Sequence, residues 1–399
     1  MNKKKSLVFL GCTGFPYGLA EIQKILLISK CLISEGNDVT VVCKNGIHIE
    51  NEHPDLLSDG NFEKIKYIYT SGSPFRNPKF IKRNLAKTKG FLNEFLFLKK
   101  LSRNKQLDFA ILSTQNFFEV FYYTTLSKLF GFKTILNYVE YQSGIKKSRF
   151  NIGRKINDFL FDKYAIRQAD SIFPISEFLI DKIKAVSPAK KYLKIPGLTD
   201  LGRYNNVLNT VDERYFLFCG SAVYKEVIEF IIDSFGQIND SSIFLYLVIN
   251  GEENDKSEVR NYCDASRKKD KIKMFSKLPE KELFTFYKNA IALLIPLRPT
   301  FQDIARFPHK TGEYLASGNP VISTKYGEIK YYFTDQVNML LAESYDVNLF
   351  AEKMQFVIDY PEKAKQIGIE GKKAAMKLFD YNSKAIEIDQ FLNSELVAE

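Results

Sequence analysis

The chain has 399 residues, of which 45% are hydrophobic, and carries 57 Lys and Arg against 47 Asp and Glu, a net charge of +10. This is more chain than one hydrophobic core usually serves, so two domains are expected, with apolar material enough for both. No apolar run approaches the ~20 residues of a membrane span, and the five cysteines (Cys12, Cys31, Cys43, Cys219 and Cys263) form no CxxC pair, which argues against a zinc site or a disulfide framework and fits a reducing cytoplasm.

The charge is uneven. Residues 1–200 hold 32 Lys and Arg against 18 Asp and Glu, or +14, while residues 201–399 hold 25 against 29, or −4. An anionic partner for the first half fits this split, and so does a lysine-biased solvated surface. The start, NKKKSLVFLGC, has a positive head and a Leu-Gly-Cys like that of a lipoprotein signal. Its apolar run is too short for one, so Ser6–Leu10 is read as a first buried strand. The loop GCTGFPYG follows. Ile22, Ile25, Leu26, Leu32 and Ile33 recur at helical spacing and predict a helix over Ala20–Glu35, with Gly36 as its stop. Asp38–Lys44 is the next strand, which completes a βαβ unit of the kind that builds parallel sheets.

Between Arg76 and Lys105 ten basic residues accompany a single acid, Glu94, interleaved with Phe, Leu and Ile. Two readings fit: a basic amphipathic region on an anionic membrane surface, or ordinary helices with one face on the core. Asp108–Ser113, Lys133–Tyr141 and Asp170–Ser176 read as further strands, with a helix around Val120–Phe130 and another over EFLIDKIKAV. The aperiodic KIPGLTDLGRYNN is the linker. The pattern then restarts: YFLFCG, IFLYLVING, KIKMFS, IALLIPL and PVIST are strands, with helices between them and from Asn348 onward. The fold class is therefore α/β, with two Rossmann-like doubly wound parallel-sheet domains facing a cleft. The expected boundaries are 1–195, a linker at 196–206, 207–375, and a terminal helix over 376–399 that returns to the first domain. In such sheets ligands bind beyond the carboxyl ends of the strands.

One stretch concentrates chemistry there: RFPHKTGEYLASGNPVIST, Arg306–Thr324. Pro308 suits the first turn of a helix, whose free N–H groups favour an anion. Lys310 adds a full charge. Glu313, one turn on, suits the paired hydroxyls of a ribose. An exposed Lys310–Glu313 pair without a ligand fits the same spacing. The three histidines form no metal set, and no Asp-x-Asp occurs, so neither a metal-bridged diphosphate nor any cofactor is expected.

The stretches FLFCGSAVYKEVIEFIIDSF, YLVING, KIKMFSKLPEKELFTFYKNAIALLIPL, FPHKTGEYLASGNPVIST and YGEIKYYFTDQVNMLLAESYD, with GCTGFPYGLAEIQKILLISKCLISEGNDVTVVCK before them, resemble the retaining glycosyltransferases of family 4, which have the GT-B fold. The resemblance implies a donor ribose on Glu313, and diphosphate contacts from Lys225 and from the loop at Gly220 and Ser221. The family's arginine position falls near Ser221, so Arg306 or Lys310 replaces that cation. The family's first glutamate falls on Ala305. Either Asp303 substitutes for it, or main-chain N–H groups within Phe307–Lys310 hold the sugar, with Pro308, His309 and Thr311 of the same segment counted among the donor-binding residues. The base lies against Ser276, Lys277 and Leu278. Gly18 in GFPYGLAE lines the donor and acceptor side, and Glu140 orients the acceptor hydroxyl.

The implied activity is retaining, metal-independent hexosyl transfer from a nucleoside diphosphate sugar to a glycan or lipid-linked acceptor in bacterial surface-polysaccharide synthesis. Lys225, Lys310 and Glu140 are the expected catalytic residues. The expected location is cytoplasmic, peripheral on the inner membrane face through residues 76–105, with no nucleic-acid partner. A non-catalytic nucleotide-sugar binding protein and a GT-B nucleotide-sugar epimerase are the alternatives.

Overall fold

A computed structural model of the chain describes residues 4–18, 20–145, 152–204 and 213–397. Leu19 of the glycine-rich loop, the linker's last two residues, residues 207–212 of the expected second domain and the final two residues of the expected terminal helix lie outside the described residues. The chain forms two units, 1–198 with 381–399, and 199–380.

Unit 1 begins with β1 (Ser6–Leu10), α1 (Ala20–Ser34), β2 (Asp38–Cys43), β3 (Asp59–Phe62), β4 (Ile65–Tyr69) and α2 (Phe80–Arg103). It continues with β5 (Phe109–Leu112), α3 (Phe117–Phe130), β6 (Lys133–Tyr138), α4 (Ile152–Leu160), α5 (Ile166–Gln168), β7 (Ser171–Pro174), α6 (Glu177–Val186) and β8 (Lys191–Tyr192). The sheet order is β3-β4-β2-β1-β5-β6-β7-β8, parallel throughout except for the β3–β4 pair. Its central strands are covered on both faces, so β1 and β5 read as unbroken apolar runs. α3 begins at Phe117 because Asn116 Oδ1 accepts the Phe118 N–H at 2.9 Å. It stops at Gly131, whose φ of 74° is left-handed.

Unit 2 comprises β9 (Tyr215–Ser221), α7 (Lys225–Gly236), β10 (Phe244–Asn250), α8 (Glu253–Ala265), β11 (Ile272–Phe275), α9 (Glu280–Asn289) and β12 (Ala292–Ile295). Then come α10 (Phe301–Ala305), α11 (Lys310–Ala316), β13 (Val321–Thr324), α12 (Ile329–Tyr332), β14 (Leu340–Ala342), α13 (Val347–Asp359) and α14 (Pro361–Leu378). All six strands are parallel, in the order β11-β10-β9-β12-β13-β14. This is the doubly wound 3-2-1-4-5-6 order, which reverses between β9 and β12. Phe216 of β9 and Ile228, Ile231 and Phe235 of α7 are fully buried in its core.

α15 (Tyr381–Val397) returns to unit 1 and packs along α1. Ile388 and Leu392 enter the core there. Asp389 Oδ1 takes Lys5 Nζ at 2.8 Å and Asn37 Nδ2 at 2.9 Å. The Lys5–Asp389 pair is almost wholly out of water, so removing either partner would strand the other charge.

The structure departs from the sequence expectations in several places. β6 ends at Tyr138, which leaves Glu140 in the loop beyond it. β3, β4 and α8 were not read: β3 and α8 carry too few buried positions, and β4 is only five residues long. α14 runs unbroken through the expected 375/376 boundary to Leu378. α11 starts at Lys310, so Pro308 precedes the helix instead of occupying its first turn.

Candidate functional site

The crevice outside the carboxyl ends of β9 and β12 is where a sheet of this order receives ligands. Gly220 and Ser221 close β9, and the turn Ala222–Tyr224 leads into α7. Arg298 follows β12. Its Nε and main-chain N–H both reach Asp303 Oδ2, at 2.8 and 3.0 Å, and its Nη2 reaches Oδ1 at 3.1 Å. This bidentate grip raises the Arg298 pKa further. Its guanidinium also lies 5.8 Å from the centre of the Tyr224 ring. Arg306 Nη1 donates to the Tyr224 hydroxyl at 2.8 Å. With the Gln302 amide turned to suit its neighbours, its oxygen takes Arg306 Nη1 and Nη2 at 3.1 and 2.9 Å. Two guanidinium groups thus border Tyr224 at the switch point.

α11 brings the second cluster to the same end of the sheet. The Tyr314 hydroxyl accepts the Cys219 N–H at 2.9 Å, which ties α11 to the end of β9. Lys310 Nζ donates to the Tyr287 hydroxyl at 3.4 Å, and that hydroxyl donates to Glu313 Oε2 at 3.4 Å. Both bonds are long, so they position the groups without saturating them. Burial alone would lower the Lys310 pKa; the Cys219 sulfur and the Glu313 carboxylate outweigh it and hold it above the ordinary value. Gly312 is needed because the chain at Thr199 comes close: a Cβ there would lie 1.9 Å from Thr199 Oγ1. Beside this cluster the Tyr204 ring lies 4.4 Å from that of Phe284, and Arg203 pairs with Glu280 at 2.6 Å.

The other expected donor residues are placed as follows. Lys225 is held by Glu258 and, at 3.4 Å, by Asp255 of α8. Asp303 has both oxygens on Arg298, and Ala305 is fully buried. Phe307 packs its ring against Phe379 and Tyr332, at 5.0 and 5.9 Å, so only its main chain can face a ligand. Pro308 and His309 are half-buried, and Thr311 is fully buried with no partner for its hydroxyl among the described residues. Lys277 has a left-handed φ of 54°, rare for a side chain of its size. Asn250 Oδ1, at the end of β10, holds that loop by accepting the Lys277 N–H at 2.9 Å and the Ser276 hydroxyl at 3.3 Å, with Leu278 half-buried beyond it. Arg298, Tyr224, Tyr287 and Asn250 were missed in the sequence. Only Arg298 carried a signal, as the first cation after a buried strand.

In unit 1, Gly18 lies just before α1, and a Cβ on it would come within 2.5 Å of Ile22, so its lack of a side chain serves packing. Glu140 Oε2 accepts from Gln115 and Gln142 at 3.3 and 3.4 Å. The β1/β5 switch point gathers a further cluster. Glu119 takes Lys44 Nζ at 2.6 Å and the Thr114 hydroxyl at 2.5 Å. Behind it the Tyr123 hydroxyl donates to Glu94 at 3.0 and 3.2 Å.

Glu94 is fully buried, and burial raises its pKa from 4.5 to about 7 despite the opposing pulls of Lys44 and Tyr123. An acid raised on folding contributes stability that is full below its unfolded pKa and lost as pH rises through the folded one. Between pH 4.5 and about 7 the wild type should therefore lose about 3 kcal/mol relative to Glu94→Gln. Calorimetric melting of both proteins at pH 5 and pH 8 checks this; a gap that does not move with pH contradicts it.

Two Rossmann-like parallel-sheet units, the second with its cations and one carboxylate gathered at the switch point, define the class: the fold is that of the GT-B glycosyltransferases. Residues 204–374, nearly all of unit 2, match the family described as Glycosyl transferases group 1. An uncharacterized glycosyltransferase of Methanocaldococcus jannaschii is 25% identical over 220 residues, which are 54% of this chain and 58% of that protein. The match thus spans less than two thirds of that relative. Sucrose-phosphate synthase from Thermosynechococcus elongatus superposes with a TM-score of 0.78 at 17% identity, covering 99% of this chain and all of that one. Anabaena HepE, in complex with UDP and glucose, superposes with a TM-score of 0.69 at 15% identity, covering 98% of this chain and 100% of that one. Among the described residues no three His, Cys, Asp or Glu side chains gather as metal ligands, and no helix is long and apolar enough to cross a membrane.

Proposed function

We propose that this chain is a retaining glycosyltransferase of family 4 type, moving a hexosyl group from a nucleoside diphosphate sugar to a hydroxyl of a glycan or lipid-linked glycan. The bacterial reading places it at the cytoplasmic face of the membrane, in surface-polysaccharide synthesis. The observation that carries the proposal is the Lys310–Tyr287–Glu313 array at the carboxyl end of β9, with Arg306 close in sequence on the segment that leads into α11. Glu313 accepts the two ribose hydroxyls, and Lys310 and Arg306 face the diphosphate. The HepE complex with UDP and glucose lends support to a donor of this class.

In the reaction, the bond from the anomeric carbon to the diphosphate oxygen breaks and the acceptor oxygen bonds to the same face. The acceptor proton passes to the departing phosphate. The chain's task is orientation and stabilisation of negative charge, without a metal. Because Arg298 takes up both oxygens of Asp303, the sugar is assigned to main-chain N–H groups around Phe307–Lys310. Lys225 joins only by exchanging Glu258 for a phosphate. The buried Ala305, where the family has a carboxylate, favours a second reading, a nucleotide-sugar binding protein without turnover.

Glu313→Ala should weaken donor binding 10- to 100-fold, the loss of about 1.5–3 kcal/mol from hydrogen bonds to a charged group. A thermal-shift panel of UDP-, GDP-, ADP- and dTDP-sugars selects the donor, and titration calorimetry measures the difference. Unchanged affinity refutes the assignment. Binding without donor hydrolysis or transfer to any acceptor extract favours the second reading.

A further inference from the structure

A surface helix normally turns its apolar stripe inward and its charges to water. α2 turns most of its apolar side chains to water together with its lysines. The residues it buries are Gly90, Glu94 and Leu98. Its outer side carries Ile81, Leu85, Leu92 and Leu96 at helical spacing, with Ile81 73% and Leu85 64% exposed.

This orientation is locked from below. A Cβ on Gly90 would lie 2.1 Å from the Lys44 carbonyl oxygen, so no other residue lets the helix sit so close. The Thr70 hydroxyl donates to the Gly90 carbonyl at 2.8 Å, Asn93 Nδ2 donates to the Thr70 carbonyl at 2.9 Å, and Glu94 is held by Tyr123. Rotating α2 to hide its leucines would strand a buried carboxyl and break all of these bonds.

The apolar surface continues onto the next two helices. The Phe91 ring lies 4.8 Å from that of Tyr122 on α3, which turns Phe118 and Phe121 outward. Asn157 of α4 accepts the Phe117 N–H at 2.9 Å, and α4 exposes Ile152, Ile156 and Phe159 along one face. The charge is one-sided: α2 carries seven Lys and Arg, and its single acid, Glu94, is the buried one.

We propose that α2, α3 and α4 form one docking face for an anionic lipid bilayer. The leucines, isoleucines and phenylalanines enter the boundary between headgroups and acyl chains, and the α2 lysines meet lipid phosphates. A bilayer satisfies both features at once, an apolar layer bordered by negative charge. The proposal rests on the membrane-side placement in the proposed function and on nothing at the nucleotide site.

The test is co-sedimentation of the full chain with vesicles of phosphatidylcholine alone and of phosphatidylcholine with phosphatidylglycerol. Binding to the anionic vesicles at low salt, weakened by added salt, is expected. Leu85→Glu/Leu92→Glu and Lys82→Glu/Lys100→Glu should each lower the partition coefficient by about tenfold or more, while leaving donor affinity by calorimetry unchanged. No binding to anionic vesicles at low salt overturns the proposal, as does binding that neither variant alters. A dimer in analytical ultracentrifugation that the leucine variant dissolves also overturns it and assigns the face to a second copy. Loss of donor binding in the wild type with vesicle binding intact would sink the transferase reading and leave the docking face standing.

Discussion

Replacing Lys310 by Met is expected to lower turnover about 10²- to 10³-fold, the usual effect of removing one preorganised electrostatic donor from a developing charge. Met keeps much of the stem, so packing against Tyr287 persists and only the ammonium is lost. In the proposed reaction negative charge on the diphosphate grows as the glycosidic bond breaks, so the loss should fall mainly on kcat and less on KM. The half-buried setting raises the effect, because water screens the ammonium poorly there. Steady-state kinetics with the donor selected by thermal shift provide the measurement. A kcat within about threefold of wild type would remove Lys310 from the mechanism, since such a change is below one hydrogen bond in value.

The second large effect concerns stability. Lys24 of α1 is 2% exposed, and its Nζ has no partner among the described residues. Burial lowers its pKa from 10.5 to about 7. A base depressed on folding destabilises fully below the folded pKa, and the penalty fades as pH rises toward the unfolded value. At pH 6 Lys24→Met should therefore stabilise unit 1 by about 5 kcal/mol, at ~1.4 kcal/mol per pKa unit. That corresponds to roughly 10–20 °C in Tm for a unit of this size. The gain should shrink between about pH 7 and pH 10.5. Calorimetry suits the measurement, because the chain has no Trp to report by fluorescence. An equal or lower Tm for the variant at pH 6 would show that Lys24 has a partner in solution.

These two lysines mark the limits of what the sequence discloses. Lys310 and Glu313 were legible because one helical turn sets their separation. Nothing local distinguishes Lys24 from its neighbours, since its helix reads as amphipathic with or without it. Strands such as β1, β5 and β12 were visible as unbroken apolar runs, the mark of burial on both faces. β4, IKYIY, is five residues with only Lys66 to mark an alternation, and α8 buries only Val259 and Cys263, so both fell below the periodic signal. The Arg298–Asp303 grip and the hold of Asn250 on Lys277 join residues whose meeting depends on strand order. The exposed apolar face of α2 was half legible: its basic and apolar residues could be counted, but only Gly90 and Glu94 tell which side is down.

The interleaving of the two units bears on how the protein comes off the ribosome. Domains usually fold in the order they are synthesised, yet unit 1 receives α15 only after all of unit 2 has been made. Until then Lys5 and Asn37 have no Asp389, and the flank of α1 stays open to water. Unit 2 closes on itself, with the Thr199 N–H donating to the Phe379 carbonyl at 2.8 Å. The half begun first is completed last, and a chain truncated after residue 380 would carry a finished second half beside an unfinished first.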